Sequence, residues 1–410
     1  MTTPREDLRT GTSVWEASAR KAPDVAPLSG DAETDVLIVG AGVSGAMTAE
    51  ALASEGVGVL VVDRRGVARG STAASTSLLQ QDLDTPLMEL EEGLGVERAR
   101  RVWKRSRLAV DAIRDRLSIA GLSHLVGARD TLYLEGDRLS ARGLERETEV
   151  RRCAGFACEW LSASETRERY GVADRAALLN SGSLAADPIA LTLAFHRLAM
   201  DRGAKLHAPE EIVDVVPSGD HVRARTASGR TVRAGCVVFA TGYEVAHGVP
   251  TRGHEVVSTW AFATAPQPGR LWRSECFIWE ASDPYLYIRT SPEGRVICGG
   301  EDEPFDDESA RDALIPEKTQ VLQEKLARLL PWLDVRAEYA WAANFGSSER
   351  GTPSIGAVPG MDRCYAILGF GGNGMTFSMM GAQMVCAAIL GRTDEDAELF
   401  AFERQEERTS

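Results

Sequence analysis

Apolar positions change their spacing repeatedly along the first part of the chain. Residues 36–39 form a short unbroken apolar run that leads into a glycine-rich turn. A segment with helical apolar spacing, marked by Met47 and Ala51, follows, and a second apolar run, Val59–Val62, ends at Asp63. Such runs are typical of strands buried on both faces, as in a parallel sheet. The pattern predicts a strand, a turn, a helix and a strand in that order.

The turn carries the pattern G-x-G-x-x-G, at Gly40, Gly42 and Gly45. In a dinucleotide-binding unit the first glycine makes the tight turn, the second lets the backbone approach a pyrophosphate, and the third packs helix against strand. The N-terminus of the helix offers free N–H groups to the phosphates. Asp63 follows 18 residues after Gly45, where a carboxylate can accept ribose hydroxyls. We therefore predict a dinucleotide site; the alternative is a glycine turn in another α/β fold.

Later segments show the same two kinds of spacing. Apolar residues at helical intervals predict helices over residues 97–117, 188–202, 316–333 and 375–390. Short alternating or apolar segments predict strands over residues 211–216, 221–226, 230–232, 236–240 and 365–368. Aromatic and β-branched residues predict an antiparallel sheet from residues 255–265, 276–280, 284–290 and 296–300. We expect the strand at 236–240 and the last helix to return to the first unit, because neither can bury its apolar residues alone.

Length and charge narrow the class of protein. A chain of 410 residues suits two domains, and a net charge of −14 disfavours nucleic acid or an anionic membrane as partner. We expect no membrane span, because no run of about 18 apolar residues occurs, and a cytoplasmic location, because no signal-peptide pattern is present. The seven cysteines form no C-x-x-C pair and the six histidines show no ligand spacing, so we expect no metal site.

Two further motifs bear on the cofactor. Only the G-x-G-x-x-G at residues 40–45 stands between two predicted strands and is followed by an acid, so a single bound dinucleotide has to carry the chemistry. Residues 70–76 form a hydroxyl-rich loop that can donate to a pyrophosphate and a flavin edge, although it also fits a surface linker. Residues 369–377 form a glycine-rich cap on the last apolar helix, where backbone can approach a flat ring and the helix N-terminus can face developing negative charge. A plain helix cap is the alternative.

Together these motifs resemble the D-amino-acid oxidase superfamily of FAD-dependent amine and amino-acid oxidoreductases. The resemblance also rests on Ala240-Thr241-Gly242 at a strand end and spans roughly residues 13–395. The lead Ser13-Val14-Trp15 is similar to the γ-glutamylputrescine oxidase branch. The resemblance implies an FAD enzyme that oxidises the C–N bond of an amine or amino acid by hydride transfer, giving an imine that hydrolyses. Dioxygen is the expected electron acceptor.

The implied fold class is α/β and α+β, with a Rossmann-type FAD-binding domain interleaved with a substrate domain on an antiparallel sheet. The predicted FAD-binding domain comprises residues 34–98, 186–244 and 340–400. The predicted substrate domain comprises residues 99–185 and 245–339. Residues 1–33 are predicted to form an arm and residues 401–410 a tail.

The resemblance assigns the cofactor contacts residue by residue. Pyrophosphate binding is implied for Gly40, Gly42, Val43, Ser44 and Gly45. Asp63 is expected at the ribose, with Arg64 and the backbone of Ile212 at the adenine. Flavin contacts are implied for Gly70, Ser71, Thr72, Ser75, Leu78 and Leu79. Thr241 and Gly242 would close over the dinucleotide, and the pyrimidine end would meet Gly371, Gly372, Asn373, Gly374 and Met375.

Departures from the family pattern refine this assignment. The loop after Asp63 has no histidine, and Cys298 does not stand in a covalent-attachment motif, so we expect non-covalent FAD. Arg350 stands where the family often has aspartate. All five lysines (Lys21, Lys104, Lys205, Lys318, Lys325) lie away from the flavin motifs, which leaves both an oxidase without a lysine and a dehydrogenase open.

The predicted substrate site centres on an alternating segment. Tyr285, Tyr287 and Arg289 share one strand face, and an arginine beside two aromatics suits a substrate carboxylate. The alternative pairs Arg289 with Glu301 or Asp302. The predicted catalytic set is Arg289, Tyr287, Gln80 and Asn373, with Gln81, Trp279 and Asn344 as further pocket candidates.

Other functions stay open at this point. A dehydrogenase of the same fold could pass electrons to a quinone or other carrier, and the substrate could lack an amine. A flavin-binding module without catalysis is the alternative outside enzymes. The sequence does not name the substrate or the oligomeric state.

Overall fold

The computed structural model describes residues 6–18, 22–172 and 174–403. The strands in chain order are β1 (Arg9–Gly11), β2 (Ala32–Val39), β3 (Val59–Val62), β4 (Leu78–Leu79), β5 (Val126–Leu134), β6 (Cys158–Leu161), β7 (Ala177–Ala186), β8 (Lys205–His207), β9 (Ile212–Ser218), β10 (His221–Thr226), β11 (Thr231–Phe239), β12 (His254–Thr264), β13 (Phe277–Glu280), β14 (Leu286–Thr290), β15 (Val296–Glu303), β16 (Ala337–Ser348), β17 (Ser354–Ala357) and β18 (Cys364–Leu368). The α-helices are α1 (Val14–Ala17), α2 (Val43–Ser54), α3 (Leu87–Leu94), α4 (Val96–Ile119), α5 (Ala141–Cys153), α6 (Ala163–Tyr170), α7 (Pro188–Asp201), α8 (Glu308–Ala313), α9 (Ile315–Leu329) and α10 (Gly374–Ile389).

The first sheet is built on parallel strands in the order β18, β11, β2, β3 and β8. Helices α2, α7 and α10 pack together on one face, where Val36 and Ile38 of β2 point. Leu37 points to the opposite face, into the apolar cluster shared with β9, β10 and β11. This confirms the predicted strand, helix and strand, and the return of β11 and α10 to that unit. The segments predicted at 230–232 and 236–240 are one continuous strand, β11.

The second sheet runs in the order β1, β16, β12, β15, β14, β13, β5, β7 and β4. Its neighbouring strands are antiparallel except for β13 and β5, which are parallel. Helix α9 covers one face, where Leu322 and Leu326 join Trp260, Phe262 and Ile288 in an apolar cluster. The opposite face borders the cavities described below.

Three elements pack with a different domain from the one to which the sequence assigns them. The other predicted domain boundaries stay a prediction. Helix α4 falls in the predicted substrate domain, yet its Val102 and Ile113 join the apolar cluster of α2 and α10. Strands β4 and β16 fall in the predicted FAD-binding segments, yet both pair in the second sheet. Periodicity predicts which side of an element is buried but not which neighbour buries it, so it could not assign these elements to a layer.

The predicted N-terminal arm is partly built into the second sheet. Strand β1 pairs with β16. Trp15 is buried, and its Nε1 donates a hydrogen bond to the carbonyl oxygen of Ser75 at 2.7 Å. Residues 1–5 and 19–21 of the arm, and residues 404–410 of the predicted tail, lie outside the described residues.

A buried ionic cluster fixes the segment that follows β4. The Arg151 guanidinium of α5, fully buried, donates to the carboxylates of Asp82 at 2.6 Å and Glu147 at 2.7 Å. Asp82 also accepts from Asn180 Nδ2, and the guanidinium carbon lies 4.3 Å from the ring centroid of Trp103. The cluster therefore ties α5 and β7 to the chain that follows β4 of the second sheet.

Among the described residues, no helix combines the length and apolar character that crossing a bilayer requires. No group of three or more histidine, cysteine or acidic residues among them is arranged to hold a metal ion.

We predict that Arg151→Leu destabilises the fold by about 3–5 kcal/mol, because it leaves two buried carboxylates without their cation. The matched control is Arg169→Leu, whose pair with Glu159 is exposed on both sides and is worth about 1 kcal/mol or less. Urea unfolding of both variants, followed by circular dichroism, measures the difference. Equal losses in the two variants would contradict the prediction.

Candidate active site

The carboxyl ends of β2, β3 and β11 open onto a cavity of about 1000 Å³, which we call the nucleotide cavity. Ligands of open α/β sheets bind at this edge of the strands. The predicted cofactor residues that line it are Gly40, Gly42, Val43, Ser44, Asp63, Arg64, Gly70, Ser71, Thr72, Ser75, Ile212, Thr241, Gly242, Gly374 and Met375.

The glycines of the turn have the geometry that the motif predicts. Gly40 has a φ of +115°, a conformation that favours glycine. A Cβ atom on Gly45 would lie 1.9 Å from the carbonyl oxygen of Gly40, so only glycine lets α2 pack this close to the end of β2. Gly45 itself does not line the cavity. Its effect on the cofactor site is to set the position of the helix N-terminus.

Side chains hold the phosphate turn and the acid after β3 in place. Thr72 Oγ1 accepts from the backbone N–H of Val43 at 3.1 Å, which joins the hydroxyl-rich loop to the start of α2. One carboxylate oxygen of Asp63 accepts from the N–H of Ala41 at 2.8 Å, and the other accepts from Gly66 at 2.8 Å. The carboxylate is thereby fixed at the wall of the cavity, where its remaining lone pairs can accept ribose hydroxyls.

The adenine end of the cavity is charged. Arg64 lies 3.6 Å from Glu211 and also pairs with Glu244. Arg65 donates to Glu244 as well, and the Glu244 carboxylate accepts from the N–H of Glu6 at 3.0 Å. The start of the described chain therefore closes this end of the cavity.

A second cavity of about 820 Å³, the substrate cavity, adjoins the first. The two cavities share the residues Ser71, Ser75, Tyr243, Gly374 and Met375. The aromatic residues that line the substrate cavity are Tyr243, Trp279, Tyr285, Tyr287 and Phe345. Its polar side chains are Ser71, Ser75, Thr76, Ser77, Gln80, Asp84, Thr259 and Asn344. Of the predicted flavin contacts, Leu78, Gly371 and Gly372 lie here.

Several side chains around the substrate cavity carry buried polar atoms with no hydrogen-bond partner among the described residues. They are Ser71 Oγ, Ser77 Oγ, Gln80 Oε1, Trp279 Nε1 and Asn344 Nδ2. Buried polar groups in folded proteins are nearly always paired, so a cluster of unpaired ones indicates a bound polar ligand. The cluster begins at the wall shared by the two cavities, where a ring joined to a dinucleotide would reach the substrate.

The orientation of Asn344 is fixed from behind. Its Oδ1 accepts from Nη1 of Arg311 at 2.9 Å, and Arg311 is fully buried and also bonds the carbonyl oxygen of Asp7. The amide therefore turns its Nδ2 donor away from Arg311. Trp279 is held by stacking on Tyr133, with ring centroids 4.0 Å apart. The donor groups Asn344 Nδ2 and Trp279 Nε1 therefore have fixed orientations.

Asp84 is a lining residue that sequence reasoning missed. Its carboxylate accepts from the N–H of Gly372 at 2.7 Å and from Asn373 Nδ2 at 3.2 Å. Burial raises the pKa of Asp84, and the bond from Gly372 opposes that rise. The sequence does contain a pattern that could have indicated Asp84. Asp82 and Asp84 stand on either side of the buried Leu83, a few residues after the hydroxyl-rich loop. Asp82 accepts from Arg151, whereas Asp84 accepts from Gly372 and Asn373.

Acidic and phenolic groups also lie behind the cavity wall. Burial raises the pKa of Asp302 to about 7, although contacts with Thr259 and Tyr285 lower it. Burial likewise raises the pKa of Tyr285 and of Tyr287. Both tyrosines are therefore neutral hydrogen-bonding groups at physiological pH.

Arg289 does not line the substrate cavity. The strand alternates as predicted, with Tyr287 and Arg289 on one face, but Arg289 lies two residues farther along and under the hydroxyl-rich loop. Its guanidinium donates to backbone carbonyl oxygens, those of Thr76 at 3.1 Å, Ser77 at 2.6 Å, Ala186 at 2.9 Å and Thr290 at 3.0 Å. Burial lowers the pKa of Arg289 to about 9. Neither the expected carboxylate-binding position nor a pair with Glu301 or Asp302 is observed.

Other predicted residues divide between the cavities and the interior. Tyr287 and Gln80 of the predicted catalytic set line the substrate cavity, as do Trp279 and Asn344. Asn373 is buried and bonds Asp84 rather than lining either cavity. Leu79 pairs with Leu184 between the strands β4 and β7, and Gln81 donates to the carbonyl oxygen of Ser181.

Comparison with known proteins supports the nucleotide site. A family model described as "FAD dependent oxidoreductase" (DAO) matches residues 35–388. Glycine oxidase of Bacillus licheniformis is 25% identical over 395 residues, covering 91% of this chain and 98% of that protein. "Probable oxidoreductase OrdL" of Haemophilus influenzae is 22% identical over 393 residues, covering 92% and 87% respectively. The crystal structure of glycine oxidase from Geobacillus kaustophilus superposes with a TM-score of 0.76 at 22% identity, covering 92% of this chain and 100% of that chain.

These matches confirm the predicted fold class and the resemblance seen in the sequence. The family match begins at β2, spans the phosphate turn, both sheets and the hydroxyl-rich loop, and ends within α10. The cavity at the carboxyl ends of the parallel strands contains the glycine-rich turn and the helix N-terminus that a flavin dinucleotide requires. The protein therefore belongs to the DAO family of FAD-dependent oxidoreductases and is a flavin enzyme.

Proposed function

We propose that this enzyme oxidises the C–N bond of a small amine or amino acid to an imine, which hydrolyses in water. FAD, when bound, accepts a hydride equivalent from the carbon next to nitrogen, and dioxygen then takes the electrons. The observation that carries the proposal is the set of unpartnered buried polar atoms that extends from Ser71, in the wall shared by the two cavities, into the substrate cavity. They lie where a ring held from the nucleotide cavity would meet a substrate.

The fit of FAD to the first cavity rests on this chain's own groups. The close approach at Gly45 sets the helix N-terminus, Asp63 offers an acceptor for ribose, and Ser71 Oγ is an unpaired hydroxyl at the shared wall. Among the described residues, no cysteine or histidine lines either cavity. Cys298 points into the apolar cluster under α9. These observations support non-covalent binding.

The substrate cavity supplies orientation rather than a dedicated base. Rigid aromatic walls and fixed polar groups can hold a C–H bond in one position, which is the main demand of this oxidation. Tyr285 and Tyr287 stay neutral, and no histidine lies among the lining residues that the structure describes.

The four lysines that the structure describes give no oxygen-activating group at the site. Lys318 pairs with Glu303 and Lys325 with Glu301, away from both cavities. Lys104 and Lys205 are exposed, and Lys21 lies outside the described residues. We therefore propose that dioxygen accepts the electrons without help from a lysine. The experiment below distinguishes this oxidase from a dehydrogenase that passes its electrons to a carrier.

We expect the purified yellow protein to lose its flavin absorbance anaerobically when an amine or amino acid is added, because the proposed reaction reduces the flavin. Admitting air should restore the yellow colour and release hydrogen peroxide. Bleaching that air does not reverse would indicate a dehydrogenase. A yellow protein that no member of an amine and amino-acid panel bleaches would contradict the proposal, whereas dithionite serves as the control for reducible flavin.

We also predict that Gly45→Ala lowers FAD affinity at least tenfold, because a methyl group there meets the backbone carbonyl of Gly40 and displaces the helix N-terminus. The matched control is Gly30→Ala, where an added Cβ has open space. The ratio of flavin to protein absorbance after dialysis measures retention, and circular dichroism confirms that both variants fold. Full FAD retention in a folded Gly45→Ala protein would disprove this role of Gly45.

A further inference from the structure

We infer that the substrate cavity selects an organic amine cation whose reacting carbon carries no carboxylate. This inference rests on the proposed function and specifies its substrate class. It follows from the charges that face the cavity, from the aromatic residues around them, and from the positions of the nearest arginines.

The ionisable groups at the substrate cavity are acidic rather than basic among the described residues. Among the described residues that line it, Asp84 is acidic and none is arginine, lysine or histidine. Asp302 adds a second carboxyl group behind Tyr285, and, besides burial, the neighbouring Asp84 contributes to raising the pKa of Asp302. An amino acid would have to place its carboxylate near these two carboxyl groups.

The nearest arginines form hydrogen bonds and ion pairs with other groups of the protein. Arg138 donates to the backbone oxygen of Asp84 at 3.3 Å and pairs with Glu89 on the outer side. Arg289 bonds backbone carbonyl oxygens of the hydroxyl-rich loop. Arg311 bonds Asn344 and pairs with Asp312. Within the described part of the chain, a substrate carboxylate in the cavity would therefore meet no guanidinium side chain that is turned toward it.

An ammonium group fits the same surroundings, and after binding it loses a proton to solvent, because only the neutral amine can transfer a hydride and become an imine. Asp84 is held in place by the N–H of Gly372 and the amide of Asn373, and it offers a fixed carboxylate to a cation. The rings of Tyr285 and Tyr287 lie 5.6 Å apart at the wall, and Trp279 lines the same space. Aromatic faces attract organic cations, and a desolvated cavity strengthens both attractions.

The remaining unpartnered donors do not reverse this preference. Trp279 Nε1 and Asn344 Nδ2 can each donate to an oxygen, and together they could hold a carboxylate of a zwitterion. Hydrogen bonds from neutral donors are weaker than those from a guanidinium, and removal of a carboxylate from water beside Asp84 is costly. We assign these two donors to a neutral oxygen of the substrate or to the cofactor edge.

The first experiment compares matched pairs of substrates on the FAD-loaded protein under anaerobic conditions. The probes are benzylamine against phenylglycine and pyrrolidine against proline. We expect the amine of each pair to bleach the flavin with at least tenfold higher efficiency than its carboxylated partner. Faster bleaching by the amino acids would overturn the inference and leave the proposed function standing, whereas no bleaching by any member of the wider amine and amino-acid panel would refute the proposed function.

The second experiment measures binding without turnover. Benzyltrimethylammonium and benzoate are similar in size, opposite in charge and unreactive, and each would be titrated while the visible flavin spectrum is recorded. We expect the cation to shift the spectrum with at least tenfold lower Kd than benzoate. Tighter binding of benzoate would overturn the inference even if no amine substrate is found.

The variant Asp84→Asn tests the carboxylate itself. We expect it to raise the Kd of benzyltrimethylammonium at least tenfold while the flavin content stays the same. The matched control is Glu89→Gln, which removes a nearby acid that does not line the cavity, and we expect less than a twofold change. Because Asp84 also bonds Gly372, the free-enzyme flavin spectrum and the thermal midpoint show whether the turn is intact. Unchanged cation binding in a folded Asp84→Asn protein would contradict the assignment.

Discussion

The structure depends on hydrogen bonding to a buried segment that has little regular structure of its own, residues 74–80. Buried carbonyl groups require donors, and these lie between two sheets, where neighbouring strands do not supply them. Side chains from distant parts of the chain do so. Trp341 Nε1 donates to Ala74 at 2.8 Å, Trp15 Nε1 to Ser75 at 2.7 Å, and Thr376 Oγ1 to Gln80 at 2.9 Å. Arg289 bonds the carbonyl oxygens of Thr76 and Ser77 between them.

Ser75 of this segment lies in the wall that the two cavities share, and Thr76, Ser77, Leu78 and Gln80 line the substrate cavity. The position of the segment therefore affects how the nucleotide and substrate sites meet. Ser77 has a φ of +59°, a conformation that non-glycine residues rarely adopt, and the 2.6 Å bond from Arg289 holds it there. The arginine therefore acts on the site through the backbone. Its placement explains why a residue beside two cavity-lining tyrosines does not itself reach the cavity.

The fold and the substrate specificity of this protein depend on different residues. Relatives that are 22–25% identical match about nine-tenths of the chain, and the phosphate turn of this chain has the geometry that its motif predicts. The substrate cavity is assembled from side chains of β12, β14, β16 and the chain after β4, each of which can change without altering the fold. Its charge therefore depends on a few residues such as Asp84.

The sequence by itself determined the elements whose signals are local. The phosphate turn at Gly40 and Gly45, the apolar strands, α10 and the antiparallel strands follow from spacing and composition, and the structure confirms them. The tertiary structure alone decided where α4 and β16 pack, that Arg289 bonds carbonyl oxygens, and that Asp84 faces the substrate cavity. Periodicity specifies the face on which a side chain lies but not the partner that a distant segment brings to it, and partners decide whether a charge binds substrate or stabilises the fold.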